Sequence, residues 1–329
     1  MAIKDTIQEI DVLVADVIKT GFVYNPTYEV PKRDDNQLTY ESGSDKKGKS
    51  INTCVLYVDI RNSVQLTIDN PKIMGKVYTA FTKSVLKVAK HHHGHIRNII
   101  GDRVMIVFPS KDCFTNAVDC AISINHIAKY VINPKFKIDF KCGIGIDYGE
   151  LRVIKVGIER KGAENPENKG LVWVGNPANI ASRLTDNANK SISETYFEVK
   201  RNPLNPAYWF RGLGAIGSNL PWTPIPQNEP KYLNKIETVI MSSDEFANSI
   251  DQSLVTGQLY VTEGKFISFS KKVNKYEYPP ILMTEVVYEN FKKLNATRSS
   301  IIKKYWQEQN HKIKNVTGKI YGGDVHWNI

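Results

Sequence analysis

Two apolar segments of strand length each run into an aspartate, and this limits what the chain can fold into. The first is Thr53-Cys54-Val55-Leu56-Tyr57-Val58-Asp59. The second runs from His95-Ile96-Arg97-Asn98-Ile99-Ile100 into Gly101-Asp102 and resumes as Arg103-Val104-Met105-Ile106-Val107-Phe108. Such a run must be covered on its faces, while the carboxylate must stay near water or a cation, so the anion lies at the rim of a buried sheet. Taken singly, each aspartate is most simply a turn or helix-capping residue. Together, two such anions can hold two divalent cations, each able to grip phosphate oxygens.

A third segment is Gly170-Leu171-Val172-Trp173-Val174-Gly175-Asn176-Pro177-Ala178-Asn179-Ile180-Ala181-Ser182-Arg183-Leu184. It predicts a strand, a tight turn at Gly175 and a helix with Asn176 as N-cap and Pro177 as its first residue. Asn179 and Arg183 are four apart and share a helical face. An amide and a guanidinium there suit ribose and phosphate oxygens, although a solvated helix surface with a surface ion pair fits the same pattern.

In order and spacing these three segments resemble the class III nucleotidyl cyclase catalytic domain, over most of residues 50 to 190. The resemblance implies that Asp59 and Asp102 bind two cations, Mg2+ or Mn2+, with the Ile60 carbonyl assisting. It implies that Asn179 and Arg183, in a G-N-x-x-N-x-x-S-R pattern, act on the transition state. The ribose 3′-hydroxyl would attack the α-phosphorus and expel pyrophosphate. Oxygen ligands argue against Zn2+. Active sites in the family lie between two catalytic domains, and one chain here holds one copy of each half. A homodimer with two shared sites is therefore expected.

Departures from the purine cyclases point to a smaller base. Four residues before the second aspartate, where purine cyclases resemble one another in placing Lys or Glu, stands Asn98; three before the Gly-Asn stands Val172, which cannot hydrogen-bond a base edge. Strand alternation puts Asn98 on the face of Asp102, and Tyr57 on the face of Asp59, where its ring would narrow the pocket. With the D-I-R-x-S run at Asp59–Ser63, this is similar to the pyrimidine cyclases of Pycsar anti-phage systems. UTP, giving cyclic UMP for a separate effector protein, is the expected substrate. CTP, a purine triphosphate, or a catalytically silent nucleotide-binding domain remain alternatives. Arg61 shares the face of Tyr57 and Asp59 and would favour uracil, whose O2 and O4 accept hydrogen bonds. Arg97 alternates away from Asn98 and is expected to face a partner or solvent. Lys319 or Lys314, near a last strand, can serve the triphosphate.

Composition fits a cytoplasmic enzyme. Of 329 residues 41% are hydrophobic, enough for a full core. Apolar runs such as 51–60 fall far short of the roughly 18 residues of a membrane span, and residues 1–19 lack the apolar stretch of a secretory signal. The four cysteines, without C-x-x-C spacing, read as reduced core thiols. Net charge is +10, but the lysines are scattered, so no nucleic-acid partner is expected.

The predicted fold is α+β: a ferredoxin-like β-α-β-β-α-β core with a mainly antiparallel sheet and helices on one face. Residues 1–49 read as an amphipathic helix and a mobile linker, 50–195 as the catalytic core, 196–275 as an inserted subdomain, and 276–329 as the core's C-terminal part. His91-His92-His93-Gly94-His95 reads as a helix end, with Gly94 as the residue just past it.

Overall fold

Alternation along the first apolar run sets the architecture. Cys54, Leu56, Val58 and Ile60 point one way and are buried; Val55, Tyr57 and Asp59 point the other. In the computed structural model, which describes residues 2–40, 43–157, 169–206, 230–252, 257 and 259–329, this run belongs to a long strand. The elements up to the site are α1 (Ile3–Lys19), β1 (Phe22–Pro26), β2 (Lys46–Ile60), α2 (Ser63–Asp69), α3 (Pro71–His91), β3 (His95–Ile100), β4 (Arg103–Val107), α4 (Cys113–Ile127), α5 (Asn133–Phe136), β5 (Cys142–Gly157), β6 (Lys169–Val174) and α6 (Asn176–Asn187). Then follow β7 (Ser191–Pro203), β8 (Glu237–Ser242), α7 (Ser243–Asn248), β9 (Ile250–Gln252), β10 (Leu259–Val261), β11 (Gly264–Glu277), β12 (Ile281–Thr284), α8 (Glu285–Leu294), β13 (Gln307–Glu308) and β14 (Ile320–Gly323).

Among the described residues the main sheet runs β13-β14-β12-β5-β2-β4-β3, with β1 beside β2 and β6 beside β5. Its centre, β5-β2-β4-β3, is the expected β-α-β-β-α-β unit, all antiparallel. On one face α3, α4 and α8 pack through Phe81, Val85, Val118, Ile122, Val287 and Phe291 onto Leu56, Val58, Ile106, Ile144 and Ile146. The opposite face carries a smaller apolar cluster, of Ile51, Val55, Met105, Val107 and Leu151 with Ala178 and Ala181 of α6. All four cysteines are buried and free, and burial pushes the Cys142 thiol up to about 12.

The chain divides into two compact units, Met1–Lys190 with Glu277–Ile329, and Ser191–Tyr276. In the second, β7 lies between β11 and β8. Arg201 bonds Glu237 at 2.7 Å and Glu263 at 2.9 Å, and Phe197 stacks on Phe246. The proline-rich stretch with Trp209 and Trp222 lies outside the described residues, as does Ile158.

Two local expectations change, those for the linker and for Gly94. Residues 25–49 are not a free linker: β1 pairs in parallel with the start of β2, and Val30 and Leu38 are only 4% and 2% exposed. Strand β5 runs unbroken from Cys142 to Gly157, because Gly149 stays extended opposite Thr53 instead of turning. Gly94 does not end α3 through a left-handed backbone; His93 takes that conformation (φ 57°). Gly94 is small because a Cβ there would lie 2.7 Å from Ile106 and 2.8 Å from Phe108. Helix α1 forms as expected and buries none of its residues in this chain, leaving Ile3, Ile7, Ile10, Val14 and Val17 exposed. No described helix is long and apolar enough to cross a membrane.

Candidate active site

Strand register brings the two aspartates to one end of the sheet. Val58 pairs with Val104, so Asp59 and Ile60 continue beside Arg103 and Asp102. The β3–β4 hairpin closes with Ile100 opposite Arg103, leaving Gly101-Asp102 as its two turn residues. Gly101 has φ 61°, a conformation the first residue of a tight hairpin turn leaves to glycine. Asp102 is half-buried, and the Asp59 side chain is 16% exposed.

A residue not anticipated from sequence holds Asp59. The Arg103 guanidinium donates to Asp59 Oδ2 at 2.8 Å, to Ser182 Oγ at 2.9 Å and to Asp186 Oδ1. Burial alone would lower its pKa, but the bonds to Asp59 and Asp186 raise it. Arg103 thus ties the strand-end carboxylate to α6. Its signal in the sequence was position only: it follows Asp102 and must pair across from Asp59.

Arg61 reaches from the end of β2 to the end of α6. Its Nε donates to the Ala188 carbonyl at 2.6 Å, holding the C-terminal end of α6, and Nη1 lies 3.9 Å from Asp59. Gly143 leaves room for it, since a Cβ there would come within 1.9 Å of Nη2. Its Nη2 is buried beside Gly143 with no hydrogen-bond partner, so only Nε of this guanidinium donates a hydrogen bond. Burial lowers its pKa, with Asp59 opposing.

Helix α6 starts one residue earlier than expected, with Gly175 rather than Asn176 as N-cap and no side-chain cap, and it packs tightly on β5. A Cβ on Gly145 would lie 2.2 Å from the Ala181 carbonyl, so only glycine lets the helix approach. Thr185 Oγ1 donates to the Tyr57 carbonyl at 3.1 Å. Ala178, Ala181, Leu184 and Thr185 are buried, whereas Asn179 and Arg183 are exposed, one turn apart. The amide and guanidinium therefore face outward from their own chain.

The expected base-pocket residues divide. Tyr57 is half-buried against the small cluster on the α6 face, and burial raises its pKa. In β3 the register shifts between Ile96 and Asn98, a bulge centred on Arg97. Asn98 consequently sits opposite Met105, itself paired with Tyr57. Arg97 is half-buried with its guanidinium 5.7 Å from the centroid of the Trp173 ring, not turned out to solvent. Val172 pairs with Ile154 and is 41% exposed, on the side of β6 opposite Trp173. The structure does not bring Val172 to Tyr57 and Asn98; Trp173 takes that side, as strand alternation from Val172 allows.

Lys319 ion-pairs with Glu308 at 3.0 Å and lines a cavity of about 740 Å³ with Asp147, Asn176 and Glu285. Neither Asp59 nor Asp102 lines this cavity. Lys314 is exposed. In the histidine run, a ring nitrogen of His92 lies 2.9 Å from Ser123 Oγ.

Among the described residues no group of three or more His, Cys, Asp or Glu is placed to hold a metal. Two carboxylates on adjoining strand ends still fit Mg2+ or Mn2+, hard ions that take one or two carboxylates and fill the rest of their shell with water and phosphate. The Arg103 contact shows that Asp59 already attracts a cation.

No protein-family model matches the chain. A uridylate cyclase of Burkholderia cepacia is 29% identical over 197 residues, 58% of this chain and 80% of that protein. A uridylate cyclase of Gulbenkiania mobilis is 25% identical over 194 residues, 55% of this chain and 70% of that protein. A cytidylate cyclase of Staphylococcus aureus is 29% identical over 107 residues, 30% of this chain and 25% of that protein.

Proposed function

We infer, from the chain's membership of the class III nucleotidyl cyclases, that it is a pyrimidine cyclase converting UTP to cyclic UMP and pyrophosphate. Membership rests on the similarity to uridylate cyclases and on the β-α-β-β-α-β sheet that carries Asp59, Asp102 and the Gly175-Asn176 helix. The observation that carries the catalytic reading is the layout of the two half-sites. Asp59 and Asp102 lie on adjoining strand ends, and Asn179 with Arg183 faces outward from α6.

In the reaction the 3′-oxygen bonds to the α-phosphorus, the bond to pyrophosphate breaks, and the hydroxyl proton passes to water. Asp59, Asp102 and the Ile60 carbonyl would hold two divalent cations, whose Lewis acidity activates the 3′-hydroxyl and neutralises the leaving group. Arg103 must release Asp59 for this to occur. Arg183 donates to the α-phosphate as negative charge gathers there, and Asn179 orients the ribose. Because Asn179 and Arg183 point outward, we assign the completed site to a homodimer, each chain lending one half to two equivalent sites. In keeping with the Pycsar resemblance, cyclic UMP would signal to a separate effector in anti-phage defence.

Similarity to a cytidylate cyclase supports CTP as the second reading, and the Asn98 amide can face either pyrimidine. Incubating the purified protein with each of the four NTPs and Mn2+, then resolving the products, separates these. Cyclic UMP as the main product is expected. Cyclic AMP or cyclic GMP in its place, or bound nucleotide without any product, overturns the proposal.

A further inference from the structure

We propose that Arg97, held against the Trp173 ring, is the residue that selects uracil. This rests on the pyrimidine reading of the site and adds the group that enforces it.

The placement comes from the bulge. An extra residue in β3 turns Asn98 to the face shared by Tyr57, Met105 and Asp59, while Arg97 already lies on that face against Trp173. Both side chains therefore belong to the face that ends in the metal aspartates, where regular alternation would separate them. Arg97 is also a half-buried cation without an anion. Its Nε is buried with no hydrogen-bond partner, and it forms no ion pair among the described residues. Burial lowers its pKa, and no carboxylate offsets the effect. On the same face Arg103 spends its donors on Asp59, Ser182 and Asp186, while Arg61 donates only through Nε to the Ala188 carbonyl and its unpartnered Nη2 is closed in against Gly143. A guanidinium kept half-desolvated over an indole has its planar fork oriented and its donors unspent, the state suited to an incoming acceptor.

Base chemistry decides which acceptor. Arginine only donates. Uracil offers O4 and O2 as acceptors, and its N3–H can be taken by the Asn98 amide oxygen. Cytosine presents an amino group where uracil has O4, so donor would meet donor. Adenine fails for the same reason. Guanine offers O6, but the Trp173 and Tyr57 rings border this face and leave a purine less room.

The test is equilibrium binding of α,β-methylene UTP and α,β-methylene CTP, which cannot release pyrophosphate, to the full chain with Mg2+. Titrations compare wild type, Arg97→Ala and Arg97→Lys, with circular dichroism and melting curves on each. Wild type should favour the uridine analogue. Arg97→Ala should weaken it by about 10- to 100-fold and leave the cytidine analogue within about threefold, the loss expected of a charged hydrogen bond. Arg97→Lys keeps the charge without the fork and should recover only part of the preference. An unchanged preference in a folded Arg97→Ala protein overturns the proposal, as does a wild type with no preference for uridine. Because binding is read without turnover, uridine selectivity that depends on Arg97 in a protein making no cyclic nucleotide would sink the catalytic reading alone.

Discussion

The two faces of one sheet differ more than any two strands in it. On the face covered by α3, α4 and α8, β2 contributes Cys54, Leu56, Val58 and Ile60, each at most 3% exposed, to a broad apolar core. On the face of α6 the alternate residues include Tyr57 and Asp59, and nearby stand three arginines, 61, 97 and 103. The first face excludes water and fixes the fold. The second keeps charges half-dry, with Arg61 and Arg103 beside Asp59 and Arg97 against Trp173, which weakens packing but prepares a polar site. The same backbone serves both, because a strand sends successive side chains to opposite sides.

This contrast breaks most sharply on catalysis. Arg183→Ala should cost about 10²- to 10³-fold in kcat, as removal of one preorganised donor does, with the melting temperature nearly unchanged because the side chain is exposed. Asp59→Ala should do at least as much harm. Mixing the two inactive proteins tests the shared site: random pairing leaves one working site in half of the dimers, so roughly a quarter of wild-type activity should return. No recovery after verified subunit exchange would mean that each chain completes its own site.

The opposite face answers in stability. Leu56→Ala removes a side chain with no solvent exposure and should cost about 2 to 5 kcal/mol. Denaturant titration reads the loss. The folded fraction should keep the wild-type ratio of pyrimidine products; a changed ratio would show that the two faces are not independent.

Much of this contrast is legible in the sequence, and its gaps have physical causes. Asp59, Asp102 and the Gly175-Asn176 turn stand out because local patterns set them: an apolar run, a tight turn, a helix start. The hairpin and α6 follow from the same signals. The bulge at Arg97 does not, because one extra residue in a strand shows only against its partner's register. Arg103 escapes for the same reason, since its partners lie 44 and 83 residues away. The segment 25–49 has the glycine and proline content of a linker, yet Val30 and Leu38 find burial only once β1 has paired with β2.

Arg103 links Asp59 to α6 on the polar face, and its replacement sharpens the comparison. Arg103→Gln removes the cation at Asp59 while keeping a hydrogen-bonding side chain. Mn2+ should then bind about tenfold more tightly by calorimetry, because the metal no longer displaces a charge-assisted bond worth about 1.5 to 3 kcal/mol. Weaker Mn2+ binding would show instead that Arg103 orients Asp59 for the metal.

The smallest effect concerns a charge among the apolar groups between β5 and β12. Asp147 is 4% exposed and accepts a hydrogen bond from Thr284 Oγ1 at 2.6 Å. Burial raises its pKa above the ordinary carboxylate value, against the lowering pull of Thr284 and the Tyr148 amide. A carboxyl whose folded pKa is raised binds its proton more tightly when folded. Its stabilising contribution is therefore full below the unfolded pKa and is lost as pH rises through the folded one. Wild-type stability should decline across that window, and Asp147→Asn should remove the decline while its amide oxygen still accepts from Thr284. Melting temperatures of the two proteins from pH 4 to pH 8 measure it. Parallel curves would mean that water or a counter-cation reaches Asp147, and that this part of the sheet is wetter than its exposure suggests.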